Sequence, residues 1–439
     1  MRTRLLVLGL AATLVGGATA SCGGKKKRQQ RTGDAAAVEV ITSPTLPDGG
    51  AQGGATDEVE PNDSVDVATP LGLGASARGT LDLDADADYY RIDVTEVGAL
   101  TVTTTAVDAD LTFDLEDASG TVIARSDRGA VRAREGVPNF GVTPGRYYAI
   151  VKRKAPAPPK KSKGKGKKAA PPPPKPGVPV SYEVAAAFAP PAAGAEREPN
   201  DDRGTANDLI PGDAVTGFIG WAGDVDVWKL SVETLSSRNA IDIEIAAVEG
   251  VALALELADG VGQPLLLRKA PRGAALIVRG VVPVVPSGAP PFHYLTVGGE
   301  RSNPETAYQL KVTAKPIEPD AEVEPNDTPE RAMAFPTERT RVDGGWTSGD
   351  VDCFAIAADV AARTLDITVT PSDIDLSIEL LVDGKPVARS ELPGKSVAEK
   401  LIGAVPANAK AVLRVRGAGD AAGEGTYEVS VREGPASVP

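Results

Sequence analysis

A chain of 439 residues with 42% apolar side chains can bury the cores of about three domains of ordinary size. Of its 47 Lys and Arg, 17 lie in the first 31 residues or between 152 and 175, which leaves 30 cations against 60 Asp and Glu in the rest of the chain. This acidic balance argues against nucleic-acid recognition by the folded part. Having only two cysteines, Cys22 and Cys353, argues against a disulfide framework.

Residues 1–21 predict a signal peptide for export. Two arginines precede an apolar run that ends near residue 18 and is too short to cross a bilayer as a stable helix. Residues 19–23, Thr-Ala-Ser-Cys-Gly, resemble the lipobox of bacterial lipoproteins, although Thr19 stands where Leu is commonest. The resemblance implies a lipid on Cys22 and an exported, membrane-anchored protein that faces the periplasm or the cell surface. Alternatively, residues 18–20 are an ordinary small-residue cleavage site that leaves Cys22 as a thiol.

Residues 22–55 predict a disordered tether, because they are polar, rich in Gly and without a sustained apolar period. A flexible coil of about 33 residues has a root-mean-square reach of roughly 30 Å. Such a tether would hold the first domain clear of a membrane surface.

One pattern occurs three times in the rest of the chain. It consists of Glu-x-Glu-Pro-Asn-Asp, here called the acidic segment (58–63, 196–201 and 322–327), followed by Asp-x-Asp and, two residues further on, an aromatic residue. The Asn and the second Asp are 26 residues apart in every copy, at 62 and 88, 200 and 226, and 326 and 352. Successive copies are 138 and 126 residues apart, which is the size of a domain rather than of a solenoid repeat.

Apolar-polar alternation separated by turn residues predicts β-strands in each domain. Residues 100–103 and 111–115 alternate with the period of two that half-buried strands have, and residues 117–120, Asp-Ala-Ser-Gly, predict a hairpin turn. No segment has a sustained helical pattern. We therefore expect an all-β fold of three tandem antiparallel β-sandwich domains of the jelly-roll type. The expected domains are 56–189, 195–315 and 321–435, with short Pro-bearing linkers at 190–194 and 315–319.

A tract rich in Lys and Pro at 152–177 predicts an insertion in the last hairpin loop of domain 1, because the strands on both sides of it match the closing strands of the other domains. Its ten cations at 152–175, without any acid, could contact polyanions. It has no aromatic residue for base stacking, so specific nucleic-acid binding is not expected. Alternatively, the tract is a solvated spacer or docks on the acidic domains of the same chain.

The repeated motif and the strands that follow it resemble the bacterial pre-peptidase C-terminal domain, over roughly residues 56–436. This family is a small β-sandwich that is often appended to secreted proteases and surface proteins. The resemblance implies the fold and a secreted setting, and it does not identify a ligand.

Carboxylates, an Asn amide and the Asp-x-Asp pair are hard oxygen donors of the kind that Ca²⁺ prefers. In the related collagen-binding modules of bacterial collagenases, similar acidic residues at the start of the domain bind calcium. By position, this resemblance nominates the ligands Glu58, Glu60, Asn62, Asp63 and Asp88; Glu196, Glu198, Asn200, Asp201 and Asp226; and Glu322, Glu324, Asn326, Asp327 and Asp352. Domain 1 departs from the pattern, with Ala85 where the other domains have Gly223 and Gly349. Alternatively, the Asn and Asp side chains only cap a turn through hydrogen bonds to the backbone.

Catalysis is not expected. His293 is the only histidine, so a catalytic triad, a Cys/His pair or a His-based zinc site would each depend on it. Cys353 lies in a predicted strand, where a small apolar role is favoured over a nucleophile. We expect a non-catalytic lipoprotein that acts as a cell-envelope or surface binding module for protein or polysaccharide, with calcium as its candidate cofactor. The alternative is a structural spacer or scaffold of the envelope without a specific soluble ligand.

Overall fold

The computed structural model describes residues 55–82, 86–106, 108–129, 131–154, 178–236, 238–285, 287–336 and 340–435. The predicted signal peptide, Cys22, the tether and most of the basic tract lie outside these residues. The described residues contain no helix with the length and hydrophobicity that crossing a bilayer requires.

Three sandwiches follow one another along the chain, and two sheets form each of them. Sandwich 1 contains β1 (Thr56–Asp57), β2 (Thr69–Pro70), β3 (Ala75–Leu81), β4 (Ala87–Val94), β5 (Gly98–Ala106), β6 (Leu111–Asp117), β7 (Val122–Ser126), β8 (Glu135–Val142), β9 (Gly145–Arg153) and β10 (Val180–Ala189). Sandwich 2 contains β11 (Asn207–Leu209), β12 (Ala214–Gly217), β13 (Val225–Ser231), β14 (Asn239–Ile245), β15 (Leu253–Ala258), β16 (Pro264–Lys269), β17 (Leu276–Val281), β18 (Phe292–Gly299) and β19 (Tyr308–Pro316). Sandwich 3 contains β20 (Met333–Ala334), β21 (Arg341–Thr347), β22 (Val351–Ile356), β23 (Arg363–Ser372), β24 (Leu376–Val382), β25 (Lys385–Ser390), β26 (Glu399–Val405), β27 (Ala411–Gly417) and β28 (Glu424–Pro435).

The eight main strands of each sandwich have the connectivity of a jelly roll. In sandwich 1 the two sheets have the orders β3-β10-β5-β8 and β4-β9-β6-β7. The same orders return as β12-β19-β14-β17 with β13-β18-β15-β16, and as β21-β28-β23-β26 with β22-β27-β24-β25. These neighbours are antiparallel, and the short strands β1, β2, β11 and β20 add parallel pairs at sheet edges. The structure therefore confirms the predicted all-β fold of three tandem sandwiches.

Each sandwich buries its own, mainly aliphatic, core between its two sheets. Buried and less buried positions alternate along the strands, as in β5, where Leu100 and Val102 are fully buried. The aromatic residues of the repeated motif, Tyr90, Trp228 and Phe354, are buried in the three cores. The alternation of apolar and polar residues in the sequence therefore indicates which side chains of a strand face the core.

The connection between β9 and β10 differs from the prediction. The sequence predicted a hairpin loop, but β9 and β10 lie in different sheets, because the last two strands of a jelly roll face each other across the core. Lys152 and Arg153 belong to β9, and residues 155–177 lie outside the described part of the chain. The basic tract is therefore a connection from one sheet to the other.

A β-bulge in the edge strands β8 and β17 shapes the joints between consecutive sandwiches. In the segments 137–140 and 278–281, the edge strand has one residue more than its partner strand. Each bulge includes a residue with a positive φ, which is 49° at Asn139 and 71° at Gly280. The matching strand of sandwich 3, β26, pairs with β23 in an unbroken register.

The bulged strands bind the backbone of the second Glu in the next acidic segment. Glu198 O accepts a hydrogen bond from Gly141 N at 2.7 Å, and Glu198 N donates to Asn139 O at 3.4 Å. Glu324 makes the matching pair of bonds to β17 and the residue after it, at 2.8 and 3.0 Å. Both contacts are parallel bridges in the same register. The two joints are thus two copies of one backbone interface.

The side chains at the two joints differ. Trp221 of sandwich 2 packs against the core of sandwich 1. Across the second joint, Arg268 of sandwich 2 reaches into sandwich 3 with only 1% of its surface exposed. Thr347 Oγ1 donates to Ile277 O at 2.7 Å across the same joint. An apolar side chain is thus central to the first joint and a charged one to the second.

Candidate metal centres

The first Glu of each acidic segment points at the backbone of the first main strand of its sandwich. One oxygen of its carboxylate accepts a hydrogen bond from a backbone N–H at or near the end of this strand. This bond fixes the segment against the sheet. The pairs are Glu58 with Thr80 N at 2.6 Å, Glu196 with Phe218 N at 2.8 Å, and Glu322 with Gly345 N at 2.9 Å.

The second Glu and the Asn close a short turn that is the same in the three copies. The Glu carboxylate accepts from the Asn N–H, and the Asn carbonyl accepts from the strand that carries Asp-x-Asp. The Glu–Pro peptide bond in each turn is cis. One oxygen of each second Glu is therefore engaged with the backbone. The bonds are Asn62 N to Glu60 at 2.9 Å, Asn200 N to Glu198 at 2.9 Å, and Asn326 N to Glu324 at 2.7 Å.

The Asn side chain turns its amide nitrogen towards the neighbouring carboxylates. Asn62 donates to Glu58 at 3.2 Å, and Asn326 donates to Glu322 at 2.7 Å. The groups around Asn200 require the same orientation, with its nitrogen 3.3 Å from Oδ1 of the second Asp of that motif. The Asn residues thus position the carboxylates by hydrogen bonds.

A tyrosine from the last strand completes each site, and the sequence analysis did not identify it as a site residue. Tyr182 OH donates to Asp88, and Tyr427 OH donates to Asp352 at 2.5 Å. Tyr308 has the matching position in sandwich 2. Each tyrosine thus supplies a hydroxyl to the buried end of the site.

A glycine opposite each tyrosine makes room for its ring. Tyr182, Tyr308 and Tyr427 pair across the strands with Gly79, Gly217 and Gly344. A Cβ on any of these glycines would overlap the tyrosine ring. The recurrence of this Gly and Tyr in all three copies was the signal that could have revealed them from the sequence.

The carboxylates of the first Glu, the second Glu and the second Asp converge in every sandwich. In each group, one ligand oxygen per residue lies within 4.8 Å of the others. Burial differs between the copies, because Glu60 is exposed whereas the residues of the other two groups are buried. The groups are Glu58, Glu60 and Asp88; Glu196, Glu198 and Asp226; and Glu322, Glu324 and Asp352.

Sandwich 2 buries its carboxylates without a compensating positive charge. Glu196 Oε2, Glu198 Oε1, Asp224 Oδ1 and Asp226 Oδ2 are buried and have no hydrogen-bond partner in the described structure. Among the described residues, no Lys or Arg is a main electrostatic neighbour of these four groups. A buried ionised carboxylate without a partner costs several kcal/mol, so such groups are normally protonated, paired or bound to a metal.

Burial raises the pKa of these carboxyl groups, and the neighbouring carboxylates raise it further. The pKa reaches about 9 for Glu198 and about 8 for Asp224 in sandwich 2, and about 8 for Asp88 in sandwich 1. For Glu196 and Asp226 the pKa also lies well above its usual range, for the same two causes. Without a cation the groups therefore hold protons near neutral pH. A divalent cation would displace those protons, because its charge stabilises the ionised form.

Not every predicted ligand lies in these groups. Asp63 and Asp201 are exposed and lie outside the converging groups of their sandwiches. Asp327 belongs to a second acidic group of sandwich 3. Conversely, the first Asp of the Asp-x-Asp pattern is buried as Asp224 and Asp350 and was not among the predicted ligands. Strand alternation places the two Asp residues of this pattern on one face, which was the available signal.

The donor set of the three groups fits a hard divalent cation. It offers carboxylate oxygens without imidazole or thiolate, which favours Ca²⁺ over Zn²⁺. In sandwich 2, Glu196, Glu198 and Asp226 would hold the ion, with Asp224 beside them. The hydrogen bonds described above use one oxygen of each glutamate and leave the second one without a partner.

Comparisons with known proteins add a likeness in solved structures. The pre-peptidase C-terminal domain of a collagenase from Bacillus anthracis is 16% identical over 27% of this chain and 93% of its own length, with a TM-score of 0.19. A protein from Eubacterium rectale that is described as secreted is 12% identical over 58% of this chain and 81% of its own length, also with a TM-score of 0.19. No family model and no curated protein matches the chain. The function is therefore inferred from the geometry of the sites.

His293 and Cys353 lie where they cannot meet a substrate. Both side chains are fully buried. Neither ring nitrogen of His293 has a hydrogen-bond partner, and burial lowers its pKa. Burial raises the pKa of Cys353 to about 12, so the thiol is not ionised at neutral pH. These two residues therefore supply neither an accessible general base nor a nucleophile.

Proposed function

We propose that the protein is an exported, non-catalytic module of the cell envelope whose sandwiches are stabilised by calcium and bind protein or polysaccharide. The observation that carries the calcium part is the buried acidic group of sandwich 2. It has four carboxylate oxygens without a partner, and no described Lys or Arg is among its main electrostatic neighbours. A divalent cation is the simplest group that stabilises this arrangement in its ionised form.

The proposed export and anchoring rest on the sequence of residues 1–23. A lipid on Cys22 would place the sandwiches outside the cytoplasm, where free calcium is abundant enough to fill sites of moderate affinity. The tether would then let the sandwiches reach ligands away from the membrane surface.

A cleft between sandwiches 2 and 3 supports the binding role. It has a volume of about 550 Å³ and lies between the linker after β19 and the strands β21 and β28. Arg279, Lys315 and Arg341 line it together with Glu318 and Glu428. A cleft with both signs of charge suits a polar chain such as a peptide or a polysaccharide.

A structural spacer is the second candidate, and the repeated joint favours it. Glu198 and Glu324 make the same two backbone hydrogen bonds to the preceding sandwich. Such joints hold consecutive sandwiches in one relative orientation. Saturable binding of a purified envelope polysaccharide or peptide, lost on Arg341→Ala, would support the binding role, and intact anchoring without any such ligand would support the spacer.

The calcium proposal predicts a thermal shift. We expect the full chain to melt at a higher temperature in calcium than in chelator, by about 2–8 °C, because a ligand at 100 times its dissociation constant contributes about 2.7 kcal/mol. Glu198→Gln should reduce the shift, since it neutralises a ligand of sandwich 2. In chelator near neutral pH it should change the melting temperature little, because Glu198 is already protonated there and glutamine has nearly the same size.

The matched control is Glu256→Gln, which removes an exposed carboxylate of the same sandwich. It should leave the calcium response as it is in the unmodified chain. Equal melting temperatures of the unmodified chain in calcium and in chelator would refute the calcium proposal and leave the acidic segments as turns fixed by hydrogen bonds.

A further inference from the structure

The second acidic group of sandwich 3 surrounds a positively charged side chain, that of Arg268. Glu324, Asp327 and Asp350 place one carboxylate oxygen each within 4.8 Å of the others. The Arg268 guanidinium lies among them, 2.9 Å from Asp327 Oδ1 and 2.5 Å from Asp350 Oδ1, and forms a third ion pair with Glu324. Arg268 comes from β16 of the preceding sandwich, so these ion pairs cross the second joint.

The burial of Arg268 shows how completely this contact replaces water. The side chain is 1% exposed, Glu324 and Asp350 are 5% exposed, and Asp327 is 24% exposed. Burial alone would lower the pKa of Arg268, but the carboxylates of Asp350, Glu324 and Asp327 outweigh it and raise the pKa. The guanidinium is therefore charged and offsets part of the negative charge around it.

Strand register identifies the residues that correspond to Arg268 in the other sandwiches. Arg268 stands opposite Leu255 in β15, whereas Ser126 and Ser390 occupy the same position in the other two sandwiches. Ser126 Oγ donates to Glu135 at 2.6 Å, and Ser390 Oγ donates to Glu399. These serines are thus satisfied inside their own sandwich.

Sandwich 2 differs from the others at both positions of this pair. The position of Glu135 and Glu399 is taken by Leu276, which stands opposite Ile245 in β14. A Ser–Glu pair has therefore become an Arg–Leu pair. Leucine has replaced the glutamate on β17, and the arginine forms its ion pairs with carboxylates of the next sandwich.

We propose that Arg268 occupies, as a guanidinium, a divalent-cation site formed by Glu324, Asp327 and Asp350. The site is distinct from the group of Glu322, Glu324 and Asp352, with which it shares one residue. The second joint is thus closed by a cation that is part of the chain and cannot be removed by a chelator. Removing the guanidinium should expose a site for a free divalent cation.

The test counts calcium ions bound to the full chain by native mass spectrometry and calorimetric titration. The variant is Arg268→Ser combined with Leu276→Glu, which rebuilds in sandwich 2 the Ser–Glu pair that the other sandwiches contain. This combination gives the new serine of β16 a hydrogen-bond partner. We expect one calcium ion more per chain than in the unmodified protein. Adding Asp327→Asn to this variant should remove the extra ion, because Asp327 belongs to this site alone.

Arg272→Ser is the matched control, because it removes a half-exposed arginine of the same sandwich that lies 3.8 Å from Glu300. It should leave the number of bound ions unchanged. An equal number of ions in the unmodified chain and the double variant overturns the proposal. The proposal rests on the calcium chemistry of the proposed function, but its test is separate: an unmodified chain that binds no calcium and a double variant that binds one ion would refute the former and support the latter.

Discussion

At the scale of single residues, the glutamates of the acidic segment in sandwich 2 use only one carboxylate oxygen each in hydrogen bonds. In sandwich 2, one oxygen of Glu196 accepts from Phe218 N and one oxygen of Glu198 accepts from Asn200 N. The remaining oxygen of each is buried without a partner. Turn formation and the proposed cation binding, which the sequence presented as alternatives, would therefore use different atoms of the same side chains.

The raised pKa values predict an unusual pH dependence of stability in chelator. Glu198 and Asp224 have pKa values of about 9 and about 8 in the folded chain, against about 4 in an unfolded one. The folded state therefore keeps protons that the unfolded state releases. This contribution to stability is complete below about pH 4 and is lost as the pH rises to about 8–9, at up to about 1.4 kcal/mol per pH unit for each titrating group.

Thermal melting between pH 5 and 9 tests this prediction. In chelator the melting temperature should fall with rising pH, and in calcium it should fall less, because the ion binds ionised carboxylates. Glu198→Gln should flatten the curve in chelator, whereas Glu256→Gln should not. A melting temperature in chelator that rises over this range would show that the buried carboxylates ionise without cost.

At the scale of strands, alternation of apolar and polar residues predicted some strands, and strands without this alternation, such as β8 at the first joint, were not predicted. The strands β5 and β6 lie where alternation predicted them, and the predicted turn at 117–120 joins β6 to β7. β3 and β8 were missed, because Gly79, Gly136 and Pro138 interrupt the apolar pattern and lower β-propensity. Gly79 makes room for Tyr182, and Pro138 lies in the bulged segment of β8. The sequence signal for a strand is weak in β3 and β8 because close contacts, rather than β-propensity, determine which residues occur there.

The bulge in β17 gives a prediction for Gly280. Its φ is 71°, and a Cβ would lie 2.9 Å from Glu322 O in the next sandwich. Gly280→Ala should therefore lower the free energy of unfolding by about 1–3 kcal/mol, through backbone strain and through loss of the contact. Urea unfolding of the full chain measures this change.

Gly250→Ala separates the two causes, because Gly250 has a φ of 75° and no neighbour within 4 Å of the added Cβ. It should cost about 1 kcal/mol from backbone strain alone. If both variants lose the same stability, the contact at Gly280 contributes nothing to the joint.

At the scale of the whole molecule, the sequence predicted three sandwiches but not how they meet. The equal spacing of 26 residues within each of the three motifs revealed the repeat, since each domain repeats one pattern of strands. The joints depend on single positions, such as Arg268 where the other sandwiches have serine. A residue type that occurs at a position in only one copy cannot be recognised by comparing the copies. The partners of Arg268 also lie in another sandwich, far away in the sequence. The sequence pattern therefore indicated most of the carboxylates that converge and none of the contacts between sandwiches.

The apolar joint predicts that sandwich 1 can be uncoupled from the others. Trp221→Ala should weaken the first joint by about 2 kcal/mol, because the partly buried indole leaves the core of sandwich 1. Differential scanning calorimetry should then show sandwich 1 unfolding separately from sandwiches 2 and 3, which Arg268 still links. Phe292→Ala, which removes a half-buried aromatic of β18, is the control and should not separate the transitions. One joint transition for Trp221→Ala would show that the indole does not couple the sandwiches.

The unbroken register of β26 limits how further sandwiches can be fused to this protein. β8 and β17 each carry one extra residue where the next sandwich attaches, and β26 does not. A copy of sandwich 2 fused behind sandwich 3 would find no bulged carbonyl to accept its glutamate N–H and would swing freely on its linker. Inserting one glycine next to Ile402, between Leu401 and Gly403, would supply the missing bulge, so that a further sandwich could attach as sandwiches 2 and 3 do.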